Sequence, residues 1–128
     1  MIKNIKATNI ELTPAISDYC ENKFSAFERF VPADDPSSAM CDIEVGKTTH
    51  HHKSGEVFRA EVNLNISGKK FYAFSEKDDL YAAIDEVKDE IIRQITADKD
   101  KSMTLMKRGA LKVKQIIKGL DFTERFRK

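Results

Sequence analysis

The 128-residue chain lacks any apolar run that approaches the roughly 18 residues of a membrane-spanning helix. Its start, MIKNIKATNIEL, scatters charges among apolar positions and therefore lacks the continuous apolar centre of a signal peptide. Only two cysteines are present, Cys20 and Cys41, and both fall in apolar patterns. These absences predict a cytoplasmic protein with no membrane partner, and with two buried thiols rather than a disulfide.

The sequence also lacks the motifs of common active sites, since it has no G-x-S-x-G, no glycine-rich phosphate loop and no H-E-x-x-H. Thr13, Ser17 and Ser25 have no general base placed beside them by any motif. The acids of the last predicted helix are typical of a solvated helix face: Asp85, Glu86, Asp89 and Glu90. We therefore predict no enzyme, no cofactor and no small-molecule substrate.

Three consecutive histidines, His50–His52, are the most conspicuous polar feature. Imidazoles suggest a metal site, but consecutive side chains point in different directions and no carboxylate or thiol stands at a ligand spacing. A loop that brings partly protonated histidines near phosphate is one alternative, and a plain solvated loop is another. No metal ion is predicted.

Charge is distributed unevenly along a chain whose composition, 41% hydrophobic and 34% charged, is typical of one soluble globular domain. Residues 1–100 hold 13 Lys+Arg against 19 Asp+Glu, a net charge of −6. Residues 101–128 hold 9 against 2, a net charge of +7. This split suggests that a basic tail contacts a polyanion, either nucleic acid or a membrane surface.

Hydrophobic periodicity predicts a strand and then a helix in the first third of the chain. Ile5 and Ala7 lie on one face of the predicted strand. Thr13 and Pro14 suit the N-cap and the first position of a helix, and Pro32 should end it. The apolar stripe of this helix comprises Ile16, Cys20, Phe24, Phe27 and Val31.

Three strands with a period of two follow. The turn around Gly68 predicts a hairpin, and alternation in the last strand puts Tyr72 and Phe74 outside. These two aromatics could stack on RNA bases, or the tail could partly cover them. The predicted inward positions of the three strands are Cys41, Ile43 and Val45; Phe58, Ala60, Val62, Leu64 and Ile66; and Phe71 and Ala73.

The last predicted element is a helix that begins in the stretch Asp79–Ile95. We therefore predict an α+β fold of order β-α-β-β-β-α, in which a four-stranded, mostly antiparallel sheet packs two helices on one face and leaves the other open. This domain spans residues 1–102, and residues 103–128 form a basic amphipathic tail. The apolar stripe of the helix comprises Leu80, Ile84, Val87, Ile91 and Ile95.

Basic residues of the helices and tail could share one flank and follow a phosphate backbone. The alternative is an ordinary scatter of solvated charges. The predicted RNA-binding residues are Lys23, Lys88, Arg93, Lys99, Lys101, Lys107, Arg108, Lys112, Lys114 and Lys118.

The chain resembles the ribosome hibernation-promoting factors, also called protein Y, ribosome-associated inhibitors or ribosomal subunit interface proteins. The resemblance covers about residues 2–101 and rests on DLYAAID at Asp79–Asp85, RQI at Arg93–Ile95 and KDK at Lys99–Lys101. It implies a fold similar to a double-stranded-RNA-binding domain. Lys23, Arg93, Lys99 and Lys101 match basic positions of the family.

The resemblance implies a translation inhibitor that silences idle bacterial ribosomes in stress or stationary phase. Its partner would be the small ribosomal subunit, bound through ribosomal RNA in the decoding channel where messenger and transfer RNA would sit. The chain looks like a short form of the family, expected to be a monomer off the ribosome. Two alternatives are a generic module for free double-stranded RNA, and a protein- or membrane-interaction module that uses the basic tail.

Overall fold

The computed structural model describes residues 1–48 and 55–120, with side chains described as far as Asp100. Within those ranges the elements follow the predicted β-α-β-β-β-α order. Short 3-10 segments at Ser25–Phe30 and Pro36–Ser38 connect α1 to β2. The bounds of the elements are β1 Ile2–Thr8, α1 Pro14–Phe24, β2 Ala39–Thr48, β3 Val57–Ile66, β4 Lys69–Lys77 and α2 Leu80–Leu120.

The strands lie side by side in chain order, β1-β2-β3-β4. β1 runs parallel to β2, whereas β2, β3 and β4 are antiparallel to their neighbours. A parallel pair requires a crossover connection, which contains α1 here. Ser67 and Gly68 connect β3 to β4 with φ values of 50° and 85°, as tight hairpin turns require. The predicted α+β fold with a mostly antiparallel four-stranded sheet is confirmed.

β1 and β2 approach closely beside Gly46. A Cβ atom at this position would lie 2.4 Å from the backbone oxygen of Thr8. Any side chain larger than hydrogen would therefore push β1 away from β2, which explains why glycine stands at this point of the sheet.

α1 begins as predicted, because the Thr13 hydroxyl accepts a hydrogen bond from the Ile16 amide at 3.2 Å and Pro14 occupies the first turn. The α-helix ends at Phe24, earlier than the predicted end near Pro32, and continues as a 3-10 helix to Phe30. A 3-10 helix has three residues per turn. This spacing keeps Phe24 and Phe27 on the same buried face, with ring centroids 5.5 Å apart.

The core lies between one face of the sheet and the apolar stripes of the helices. Most of the side chains that the sequence assigned to this layer are buried. The half-buried exceptions are Ile5, Ala7, Ile16, Val31, Phe58 and Phe71. Cys20 and Cys41 are free and fully buried, and burial raises their pKa values to about 11 and about 12. The buried helix side chains are Cys20 and Phe24 in α1, Phe27 in the 3-10 segment that follows it, and Leu80, Ala83, Ile84, Val87, Ile91 and Ile95 in α2.

α2 passes through two compact units of the chain. The first unit, residues 1–94, contains the sheet, α1 and the first four turns of α2. The second unit begins at Ile95 and contains the rest of the helix as far as Leu120. The predicted division into residues 1–102 and 103–128 stays a prediction.

Candidate nucleic-acid interface

Three of the predicted RNA-binding cations lie on the helices of the first unit, and each is already paired with a carboxylate. Lys23 Nζ lies 3.5 Å from Asp85 Oδ1, and Lys88 Nζ lies 3.0 Å from Asp89 Oδ1. Each positive charge on this surface is therefore partly neutralised before any phosphate approaches.

Arg93 is held most tightly of the three. Its Nε and Nη2 atoms donate to the two carboxylate oxygens of Glu90 at 2.9 and 2.6 Å, which is the bidentate geometry that an arginine also offers to phosphate. Hydrogen bonds from Arg93 and then Gln94 lower the pKa of Glu90 to about 2. Glu90 is therefore fully ionised at neutral pH and competes with phosphate for the guanidinium group.

The contact between α1 and α2 joins Lys23 to residues that the sequence had not assigned to a binding site. Tyr19 donates its hydroxyl hydrogen to Asp85 Oδ1 at 2.7 Å, and its ring meets that of Tyr81 edge-on at 4.7 Å. Lys23 Nζ lies 5.4 Å from the centre of the Tyr19 ring. The hydrogen bond to Asp85 is the main cause that raises the pKa of Tyr19 to about 12. The Asp85 side chain is 43% exposed on the predicted solvated face of α2, and in addition its carboxylate joins the two helices.

The motif DLYAAID could have signalled this contact. Tyr81 and Asp85 are four residues apart and therefore lie on the same side of α2. The sequence does not say which residue of α1 they meet, because that depends on how the helices are aligned on the sheet.

Gln94 fixes α2 to the edge of the sheet. Its carboxamide accepts from the Tyr72 amide at 3.3 Å and donates to the Tyr72 carbonyl oxygen at 2.8 Å. It also donates to Glu90 at 3.0 Å. One side chain thus satisfies both outward backbone groups of an edge-strand residue, which protects that point from pairing with another strand.

The other predicted cations belong to the second unit. Lys99 is exposed on α2. The backbone of α2 continues as a helix through the remaining positions, whose side chains lie outside the described part: Lys101, Lys107, Arg108, Lys112, Lys114 and Lys118. Contact of any of these residues with RNA stays a prediction.

The described residues were searched for a metal-binding cluster and for a membrane-spanning helix. Within residues 1–48 and 55–100, no three His, Cys, Asp or Glu side chains are arranged to hold a metal ion. His50–His52 lie outside these ranges. Where the structure describes a helix, none has the length and apolar character to cross a membrane.

A mixed sheet covered on one face by two helices, the second of which continues into another compact unit, defines a small α+β protein. The sequence model of one family, described as sigma 54 modulation protein / S30EA ribosomal protein, matches residues 3–103. The chain belongs to this family. The match ends where the predicted basic tail begins.

Relatives and solved structures agree with this membership. The chain is 37% identical over 98 residues to the ribosome hibernation promoting factor of Klebsiella oxytoca. The aligned region covers 77% of this chain and 93% of that protein. The N-terminal domain of protein Y from Thermus thermophilus superposes with a TM-score of 0.61 at 29% identity, covering 73% of this chain and 93% of that one. A ribosomal subunit interface protein from Coxiella burnetii shares the fold, with a TM-score of 0.58 at 18% identity over 78% of this chain and 99% of that one.

Family membership confirms two predictions made from the sequence. The family consists of ribosome-binding proteins that act in ribosome hibernation, so the chain belongs to translation regulation. It is a family of non-enzymatic proteins, so the chain is not an enzyme.

Proposed function

We propose that this protein silences idle ribosomes by binding ribosomal RNA of the small subunit in the decoding channel. A protein seated there would exclude messenger and transfer RNA and so would stop translation. Support comes from membership of the S30EA family and from similarity to a ribosome hibernation promoting factor over nearly all of that relative's length. The protein would act in the cytoplasm, where ribosomes are found.

The observation that carries the RNA-binding part of the proposal is the separation of charge along the chain. In the first unit, Lys23, Lys88 and Arg93 are all engaged by carboxylates. Residues 101–128 carry a net charge of +7, and α2 continues through this segment to Leu120. A row of cations on a helix releases counterions from an RNA backbone when it binds, and this release drives association at low salt. The C-terminal segment would therefore supply most of the electrostatic affinity.

Purified small and large subunits test the proposal directly. We expect the protein to sediment with the small subunit, to inhibit translation in vitro, and to protect decoding-channel nucleotides from chemical modification. Protection of nucleotides outside the channel, or equal binding to free double-stranded RNA, would contradict the decoding-channel proposal. The double-stranded RNA result would favour the generic RNA-binding alternative.

A further inference from the structure

Two neighbouring rows of side chains line a groove on the open face of the sheet, opposite the helices. The register of β2, β3 and β4 places three residues side by side in the first row: Met40, Asn65 and Lys70. The second row, two residues further along each strand, comprises Asp42, Asn63 and Tyr72. The groove has a volume of about 530 Å³, and all six residues line it. Sites for small organic ligands have volumes of roughly 300–1,000 Å³, so the groove can hold a ligand of that class.

The first row offers a site for an anion. Lys70 is exposed and, unlike the predicted cations on the helices of the first unit, has no carboxylate partner among the described residues. Beside it, the Asn65 carboxamide oxygen accepts a hydrogen bond from the Gly68 amide at 3.2 Å, which leaves the Asn65 NH2 group to donate elsewhere. An ammonium group next to an amide donor suits phosphate oxygens. Lys70 was not among the RNA-binding residues predicted from the sequence.

The second row offers an aromatic surface. Tyr72 is 44% exposed, and burial and a hydrogen bond to Glu61 raise the pKa of its hydroxyl group. The hydroxyl is therefore held while part of the ring stays exposed to solvent, and such a ring is a platform on which a base can stack. Phe74 is less suited to stacking, because the guanidinium group of Arg59 lies 4.1 Å from the centre of its ring.

Asp42 and Asn63 stand beside Tyr72 and can contact the edge of a stacked base. Asp42 Oδ1 accepts from Asn4 Nδ2 at 3.0 Å, whereas Asp42 Oδ2 and the Asn63 carboxamide have no hydrogen-bond partner among the described residues. A carboxylate only accepts hydrogen bonds. Guanine is the base whose Watson–Crick edge presents two adjacent donors, N1–H and N2–H, and uracil presents two oxygen acceptors there. Asp42 therefore favours guanine and disfavours uracil.

The opposite charges at the two ends of the groove distinguish between RNA and protein as the occupant. Because neighbouring strands lie about 4.8 Å apart, Lys70 on β4 and Asp42 on β2 are separated by roughly 10 Å across the strands. A nucleotide has an anionic phosphate at one end, N–H donors at the far edge of its base, and an aromatic plane between them. The order of lysine, tyrosine and aspartate complements this arrangement. Lys70 would repel a basic peptide segment, and Asp42 would repel an acidic one.

We propose that this groove binds one unpaired guanine nucleotide of ribosomal RNA. The base stacks on Tyr72 and donates its N1–H and N2–H hydrogens to Asp42, and the phosphate contacts Lys70 and Asn65. The inference rests on the proposed ribosome binding and adds a base-reading site to it. The C-terminal segment supplies affinity that does not depend on the base, and the groove on the sheet selects the nucleotide.

Short single-stranded RNAs test the base preference with the full-length protein. Fluorescence anisotropy compares the pentamers UUGUU, UUAUU, UUCUU and UUUUU. Phosphate contacts of the C-terminal segment are the same for all four, so they cancel from the ratio of affinities. We expect UUGUU to bind about five- to twentyfold tighter than UUUUU, as a bidentate contact to a base edge allows. Equal affinities for the four pentamers, or a preference for another base, would overturn the inference. Displacement of UUGUU by an equimolar amount of GMP would assign the groove to a free nucleotide and would overturn the choice of RNA.

Two pairs of variants separate the contacts. Asp42→Asn should remove the preference for guanine, whereas the matched control Asp18→Asn, on the exposed side of α1, should keep it. Tyr72→Leu should weaken binding of UUGUU at least about fivefold, whereas Tyr72→Phe keeps the ring and should stay within about twofold of the wild type. Thermal denaturation checks that each variant is folded. Equal losses for Tyr72→Phe and Tyr72→Leu would show that the ring does not stack and would overturn the assignment.

Photo-crosslinking identifies the occupant on the ribosome. A benzophenone amino acid replaces Met40 in the wall of the groove, and the full-length variant is irradiated on purified small subunits. We expect a crosslink to ribosomal RNA beside an unpaired guanine. A crosslink to ribosomal protein alone, or no crosslink from a variant that still sediments with the subunit, overturns the inference. Loss of sedimentation by the wild-type protein would instead overturn the proposed function.

Discussion

The first unit of the molecule and the C-terminal part of α2 solve different physical problems. Residues 1–94 bury an apolar core between sheet and helices, and the predicted RNA-binding cations of this unit are paired with carboxylates. Residues 101–128 carry a net charge of +7 and hold only two acidic residues. The comparison teaches that the buried core and the excess of positive charge lie in different stretches of this chain.

The largest expected effect on the first unit comes from Ile84→Ala. Ile84 is fully buried in α2, so its truncation removes packing and leaves a cavity, which should lower the free energy of unfolding by about 2–5 kcal/mol. Urea denaturation checks this value. The half-buried Ile92, on the same helix, is the matched control, and Ile92→Ala should cost less. Equal losses for the two variants would contradict the assigned core.

The largest expected effect on the C-terminal segment comes from removing its charge in the full-length protein. Replacing Lys107, Arg108, Lys112 and Lys114 by glutamine should weaken small-subunit binding by about ten- to a hundredfold at low salt, because fewer counterions are released. Sedimentation or fluorescence titration measures the change.

The matched control removes cations from the first unit instead. Lys47 and Lys77 are paired with Glu56 and Glu86, at 3.2 and 3.3 Å. Replacing both by glutamine should change affinity much less per charge than the C-terminal substitutions. A comparable loss per charge would erase the proposed difference between the two regions.

A smaller effect is expected at the contact between α1 and α2. Asp85→Asn weakens the hydrogen bond from Tyr19 and should lower the free energy of unfolding by about 1 kcal/mol. It should also move the pKa of Tyr19 from about 12 back toward its ordinary value near 10, which ultraviolet titration of the phenol detects. Because the folded pKa is raised, the stabilisation is present below pH about 10 and is lost as the pH rises toward 12. An unchanged Tyr19 titration in the variant would show that Asp85 is not the cause.

The smallest effect concerns Glu90. Its pKa of about 2 lies below the ordinary value near 4.3, so its contribution to stability is present above pH about 4.3 and is lost as the pH falls toward 2. Nuclear magnetic resonance titration of the carboxyl group should give a midpoint near 2, and Arg93→Gln should raise that midpoint. A wild-type midpoint near 4.3 would show that Arg93 is available to phosphate.

Much of the fold could be predicted because its signals are local. Alternation in β2, β3 and β4 and the apolar stripe of α2 indicated the buried faces, and the outward positions of Tyr72 and Phe74 followed from the same period of two. The end of α1 at Phe24 was missed because a 3-10 helix can keep Phe27 buried just as an α-helix does.

The candidate surfaces were harder to predict because they depend on which elements become neighbours. Sequence spacing cannot show that Asp85 meets Tyr19, or that Gln94 reaches the backbone of Tyr72. The two rows of side chains that line the groove on the open face likewise appear only when the registers of β2, β3 and β4 are known. Arg93 and Glu90 are only three residues apart in the sequence. That spacing alone does not show whether the arginine forms an ion pair with the glutamate or is free to bind phosphate.

The salt dependence of small-subunit binding tests the division between the two regions most directly. Log affinity is measured against log salt concentration for the full-length protein and for a variant that lacks residues 103–128. We predict a steep slope for the full-length protein and a much shallower slope for the shortened one, since every phosphate that is no longer neutralised should reduce the slope by about 0.7–0.9. Identical slopes for the two proteins would contradict the account, because the first unit would then neutralise the phosphates itself.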